Sequence, residues 1–283
     1  MTLTFKARTH GGNMVDSPLT PMWFPGGEAH IKGVEDSARF AVQIADLRGA
    51  DPKDLIMLAM WADTCHKRNE RTALVLPYLP GARADRGTPF GAGIYARLIN
   101  SMVIGQVITL DPHSEVMPEL IRRLTVFPFE RIVKRELGDR GDHYNHPYVG
   151  VIAPDKGAVN RASRVAKALH VPLFKAEKHR DFQTGKLSGF SCEPLPETGR
   201  LLIADDICDG GGTFLGLADA IGLPSNQLDL WVTHGIFSKG FSELSVRFGH
   251  IYTTDSHYSH GNTNEPGDPH VISATPYLYG EIK

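Results

Sequence analysis

The chain has 283 residues, a formal net charge of -2 and 41% hydrophobic residues. That length suits two α/β lobes of ordinary domain size, and a charge so near zero gives no electrostatic footprint for nucleic acid or an anionic membrane surface, which favours a small-molecule partner. Cys65, Cys192 and Cys208 are odd in number, widely spaced and without a CxxC pair, which speaks against a disulfide framework or a zinc centre and for a reducing, cytoplasmic setting.

In chain order, the opening MTLTFKARTHGG lacks the apolar core of a signal peptide. Asp51 is a candidate N-cap with Pro52 at the first helical position, and Leu55, Leu58, Ala59, Ala62 and Cys65 then form one apolar stripe. The longest apolar run, Leu55 to Ala62, is closed by Asp54 and Asp63, so it predicts a core helix and no membrane span. Strands are predicted at Thr72–Tyr78, Gln106–Leu110, Tyr148–Ala153, Leu201–Ala204 and Leu230–Thr233, with helices between them. This alternation is the pattern of parallel sheets covered by helices. The aperiodic stretch DRGDHYNHPY (139–148) marks a boundary, giving domains 1–145 and 146–283. After it, Val159, Ala162, Ala166 and Leu169 line one face of a helix that begins just past Asp155, so its N-terminus points at whatever Asp155 serves.

The most informative stretch is LLIADDICDGGGTF, residues 201–214. A glycine-rich turn between strand and helix exposes backbone N–H groups at the positive end of the helix, which makes phosphate the default ligand. The chain has no GxxxxGK[ST], and Gly210, Gly212 and Gly216 give GxGxxxG in place of the dinucleotide pattern GxGxxG. Asp205, Asp206 and Asp209 would repel a bare phosphate unless they face hydroxyls or a divalent cation. A ribose phosphate meets both demands. Asp205 and Asp206 accept from ribose hydroxyls or reach Mg²⁺ through water, while residues 209–213 wrap the 5-phosphate.

This loop resembles the ribose-phosphate signature of the type I phosphoribosyltransferase fold, with Gly210 where the usual form has threonine. Several further segments resemble the ribose-phosphate pyrophosphokinase family. PYLPGARADR (77–86) is similar to its P-Y-x-x-x-A-R-Q-D-R segment, with Ala84 at the glutamine position, and implies ATP contacts from Arg83, Asp85 and Arg86. VITLDPHSE (107–115) looks like the family's V-D-L-H-A-x-Q turn, which implies that His113 serves both the metal and the ATP phosphates. APDKGAVNRA (153–162) implies a second metal position at Asp155. FKAEKHRDFQTGKL (174–187) resembles the mobile catalytic loop, with Lys178 and Arg180 as catalytic cations and His179 in place of the middle arginine. FPGGEAHIK (24–32) resembles the loop that reaches the adenine of a neighbouring subunit, through Phe24 and Glu28, with Gly26 at the family's aspartate. THGIFS (233–238) matches a supporting segment, and the tail after Asp255 has no counterpart.

The resemblance implies two phosphoribosyltransferase-like domains, each a mostly parallel sheet flanked by helices, and a homo-oligomer with an adenine site shared between subunits. It also implies a Mg²⁺-dependent diphosphotransferase that moves diphosphate from ATP to the anomeric hydroxyl of ribose 5-phosphate. Gly210, Gly211, Gly212 and Thr213 would then hold the acceptor phosphate. The missing side chain at Gly210 leaves a larger acceptor open, such as ADP-ribose, which would place the chain in NAD-related metabolism. A non-catalytic regulatory subunit is the other alternative, and the presence of Arg83, Lys178 and Arg180 argues against it.

Overall fold

The computed structural model describes residues 2–34, 39–138, 147–180, 187–257 and 267–283, with residues 179, 180, 187 and 188 described by backbone alone. Residues 1–127 with 275–283 form one compact unit and residues 128–274 a second. The boundary expected after residue 145 lies outside the described residues.

In the first unit the strands β1 (Leu3–Arg8), β2 (Met14–Asp16), β3 (Thr20–Trp23), β4 (Ala29–Lys32) and β5 (Val42–Leu47) precede α1 (Pro52–Lys67). They are followed by β6 (Thr72–Val75), α2 (Gly91–Ser101), β7 (Gln106–Leu110), α3 (Val116–Leu120) and β8 (Leu124–Phe127). The main sheet is six-stranded in the order β2-β1-β5-β6-β7-β8. From β5 to β8 the pairing is parallel, while β1 and β2 are antiparallel at one edge, and β3 and β4 form a separate hairpin. Every residue of β5 is buried, as a strand with helices on both faces requires. The α1 cap is as expected: the Asp51 side chain accepts from Lys53 N–H at 2.9 Å and Pro52 opens the helix. Its buried face holds Leu55, Leu58, Ala62 and Cys65 of the expected stripe, leaves Ala59 half-buried and adds Met57 and Trp61, with Trp61 stacked on Phe5 at 5.7 Å.

The second unit runs α4 (Glu130–Val133), β9 (Tyr148–Ala153), α5 (Val159–Leu169), β10 (Leu173–Arg180), β11 (Leu187–Cys192) and β12 (Arg200–Cys208), then α6 (Gly212–Ile221), β13 (Leu228–Gly235), α7 (Ser242–Arg247), β14 (Ile251–Thr254) and β15 (His270–Ile272). α8 (Thr275–Tyr279) follows and belongs to the first unit. The sheet is seven-stranded, β11-β10-β9-β12-β13-β14-β15, and parallel except for β11. β13 is buried along its whole length. Both units are α/β with mostly parallel sheets, as the alternating pattern implied. From β9 the chain builds β10 on one side and β12 on the other. The carboxyl ends of β9 and β12 therefore flank a topological switch point, where open α/β sheets carry their ligand crevice. Among the described residues no helix is long and apolar enough to cross a membrane.

Several segments differ from the sequence expectation: β6 stops at Val75, short of Tyr78, and β13 extends beyond Leu230–Thr233 at both ends. Residues 174–180, expected as part of a loop, lie on β10, whose end pairs antiparallel with β11, Lys178 opposite Phe190. β12 also runs past Ala204 to Cys208, so Asp205 and Asp206 lie on the strand and the loop proper begins at Asp209.

Candidate functional site

At the carboxyl end of β9, Asp155 Oδ1 accepts from Gly157 N–H at 2.9 Å and Ala158 N–H at 3.2 Å, which fixes its carboxylate at the start of α5. Its other oxygen is 3.5 Å from Lys178 Nζ, and the same ammonium donates to Thr213 Oγ1 at 2.7 Å. The fold thus joins three separately predicted residues: Asp155 after β9, Lys178 on β10 and Thr213 in the first turn of α6. The ammonium also lies over the Phe190 ring, 5.9 Å from its centroid. Arg180 lies on β10, and its side chain lies outside the described residues.

Asp205 and Asp206 face one guanidinium. Arg161 Nη1 is 3.5 Å from Asp205 Oδ1, and Nη2 is 3.5 Å from Asp206 Oδ2. The Asp205 carboxyl sits well above the ordinary carboxylate range, first because it is buried and second because of the Asp206 charge beside it; Arg161 pulls the other way. Arg161 lies in the first turn of α5. Its role comes from α5 packing over β12, which no local pattern encodes.

Beyond the aspartates, Gly211 takes φ 76° and caps α6, which begins at Gly212. That left-handed turn favours glycine and aims the opening N–H groups of α6, which have no intrahelical partners, toward the crevice. Asp209 accepts from the Ser238 hydroxyl at 2.5 Å, so it anchors the turn after β13 to this loop. The position of Gly210 is not open space, because a Cβ added there would stand 3.4 Å from Cδ and Cε of Lys239.

The remaining predicted residues lie in the first unit. Asp85, in the loop after β6, is held below its usual carboxylate range, chiefly by the hydrogen bond from Ser114 and then by Arg86 and the neighbouring His113, against the opposing effect of burial. This ties the loop after β6 to the loop after β7. Arg86 bonds Asp85 at 3.2 Å and is otherwise exposed; Arg83 and His113 are also exposed. Ala84 packs on the start of α2, where a Cβ added to Gly91 would stand 2.7 Å from its methyl. In the β3–β4 turn Phe24 is 47% exposed, enough to offer a ring face to a base, and stands 5.5 Å from His30. Glu28 folds back over Gly26, with Oε2 only 2.6 Å from where a Cβ would be. An aspartate at position 26 would displace it.

Among the described residues no group of three or more His, Cys, Asp or Glu side chains is arranged to hold a metal ion. Mg²⁺, however, characteristically takes one or two carboxylates and completes its shell with water and substrate phosphate. The buried, mutually repelling Asp205–Asp206 pair has the hard oxygen donors and the excess negative charge that such an ion relieves. The donor chemistry fits.

The family model for the phosphoribosyl transferase domain matches residues 126–222, the part of the chain that carries Asp155, Lys178 and the 205–213 segment. A ribose-phosphate pyrophosphokinase of Maricaulis maris is 28% identical over 285 residues, covering 95% of this chain and 90% of that protein. One from Bradyrhizobium diazoefficiens is 29% identical over 225 residues, 74% of this chain and 66% of the relative. The crystal structure of phosphoribosylpyrophosphate synthetase from Mycobacterium smegmatis superposes with a TM-score of 0.77 at 21% identity, over 94% of this chain and 89% of that one, and so shares the fold. The chain thus carries a phosphoribosyl transferase domain and, with its motifs in the same order and the sheet topology that carries them, is similar along most of its length to the ribose-phosphate pyrophosphokinases, which are diphosphotransferases.

Proposed function

We propose that the chain transfers diphosphate from Mg-ATP to the anomeric hydroxyl of ribose 5-phosphate, giving phosphoribosyl pyrophosphate and AMP. The anomeric oxygen forms a bond to the β-phosphorus, the bond from that phosphorus to the α,β-bridging oxygen breaks, and AMP leaves with the bridging oxygen. The hydroxyl proton is lost to solvent. The observation that carries this reading is the meeting of Lys178 with both Thr213 and Asp155. It places a cation between the proposed acceptor loop and the end of β9, where charge develops as the diphosphoryl group moves.

Such a transfer asks the protein for position and charge neutralisation more than for covalent chemistry. Residues 209–213 hold the 5-phosphate through backbone N–H groups and the Thr213 hydroxyl, and Asp205 and Asp206 accept from the ribose hydroxyls. Lys178, oriented by Asp155, neutralises the transferred group together with Arg180. Arg83, Arg86 and His113 bind the ATP phosphates, and Asp85 holds their two loops together. Phe24 and Glu28 take the adenine of a neighbouring subunit in a cytoplasmic homo-oligomer. His113 in the first unit and Asp155 in the second would each hold a Mg²⁺ position, the latter reached through water from Asp205 and Asp206, and the bound ions would screen the triphosphate.

Gly210 favours a second acceptor. The 5-phosphate there is bordered by the flexible Lys239 stem in place of a side chain fixed at 210, so a ribose 5-phosphoryl group can continue into a larger molecule, as in ADP-ribose. One experiment tests both acceptors: incubation with Mg-ATP and either ribose 5-phosphate or ADP-ribose, with AMP and the diphosphorylated product read by mass spectrometry. AMP matched by product is expected from at least one acceptor. If neither releases AMP, the catalytic reading fails.

A further inference from the structure

Gly210 and Lys239 lie on different turns at the carboxyl end of the second sheet, one after β12 and one after β13. Phe237 N–H donates to Cys208 O and Ser238 N–H to Asp209 O, each at 3.0 Å, and the Ser238 hydroxyl donates to Asp209 Oδ1 at 2.5 Å. Gly240, with φ 74° and its N–H on Phe237 O at 2.8 Å, turns the chain immediately afterwards. The backbone of Lys239 is therefore held against the loop. Its stem runs alongside Gly210, 3.4 Å from where a Cβ there would stand, in the space that a side chain at 210 would take. Lys239 is exposed and, among the described residues, its side chain has no hydrogen-bond or ion-pair partner. The nearest acid in the loop, Asp209, accepts from Ser238.

A single 5-phosphate is already served by the N–H groups that open α6 and by Thr213. An additional ammonium, extended past a residue without a side chain, matches a ligand whose negative charge continues beyond that phosphate. Lysine suits this task as a flexible point charge that binds phosphate without fixed geometry. We infer that Lys239 determines acceptor specificity: its ammonium takes the second phosphoryl group of a diphosphate-linked ribose, so the site discriminates in favour of an ADP-ribose type of acceptor. This rests on the assignment of residues 209–213 to the ribose phosphate.

The test measures binding of ribose 5-phosphate and of ADP-ribose by isothermal titration calorimetry, without nucleotide, to the wild-type chain, Lys239→Met and Lys239→Arg. Methionine keeps the stem and removes the charge. The expected result is a loss on the order of tenfold in the preference for ADP-ribose in Lys239→Met, the scale of one charge-assisted hydrogen bond, with the preference retained in Lys239→Arg. Equal weakening of both ligands would make Lys239 a ligand of the 5-phosphate itself and overturn the inference. An unchanged ratio would make it a solvated surface residue, with the same consequence. If both ligands bind with a Lys239-dependent preference while neither yields AMP, diphosphoryl transfer falls and the specificity assignment stands. If AMP forms but the preference ignores Lys239, the reverse holds. Binding of neither ligand ends both.

Discussion

Asp205 and Asp206 share the Arg161 guanidinium near the end of β12, while burial and the Asp206 charge disfavour the ionised form of Asp205. Because the folded-state pKa of Asp205 is raised, its contribution is fully present below its ordinary value of 3.8 and is lost as pH rises through the elevated value. Asp205→Asn removes that loss. Denaturant unfolding across pH 4 to 8 should show the variant gaining on the wild-type chain as pH rises, while its affinity for ribose phosphate falls. A difference between the two that is flat with pH would refute the assignment. Lys178→Met addresses the chemistry: kcat is expected to fall by roughly 10²–10³, the scale for removing one preorganised charge-stabilising donor, with ATP binding little changed. Unchanged kcat would take Lys178 out of the mechanism. The aspartates, glycines and Thr213 were legible in sequence because they are contiguous and their chemistry is local. Ser238 was legible only as part of the supporting THGIFS segment, and the roles of Arg161 and Lys239 were not legible at all, because what they touch is set by strand order.

At the scale of elements, parallel strands ending in polar residues could be read from short apolar runs, and the predicted positions of β7 and β9 coincide with those observed. β1 to β5 went unread. LTFKAR alternates buried and more exposed positions, as an antiparallel strand with one face less covered does, and so lacks the continuous apolar run of a strand buried on both faces. The charged stretch that became β10 was obscured because its partner, β11, lies across intervening residues. Close packing between a loop and a helix gives a prediction here. Gly91 opens α2 against the Ala84 methyl, so Gly91→Ala should push the 81–86 loop outward and raise the KM for ATP severalfold with little change in the melting temperature. Ala84→Gly in the same chain should restore KM, since it removes the other half of the clash. A double variant no better than the single one would show that the helix, not the loop, had moved.

For the whole molecule, the tail after Asp255 had no assigned role in the sequence, and the structure gives it two. β15 extends the second sheet, whereas α8 and the residues after it pack on the first unit. There the Tyr279 hydroxyl donates to Asp46 Oδ2 at 3.0 Å, Arg48 spans Asp46 at 2.9 Å and Thr275 at 2.9 Å, and Arg8 donates to Ile282 O at 2.9 Å. Leu278 is fully buried and Ile282 nearly so. Asp46 sits in the fully buried β5, so this segment both covers core and satisfies a buried carboxylate. Each unit has its own apolar cluster, and the cost of disturbing the tail should therefore be confined to the first. Leu278→Ala is expected to destabilise that unit by about 2–5 kcal/mol through lost burial and an unfilled cavity. Tyr279→Phe should cost about 1.5–3 kcal/mol, the worth of a hydrogen bond to a charged group. Amide hydrogen exchange localises the effect: protection should fall across β5, β6 and β7 and hold across β12 and β13. Equal loss in both sheets would mean that the two units unfold as one, and the tail would then act on the stability of the proposed ribose-phosphate site as well.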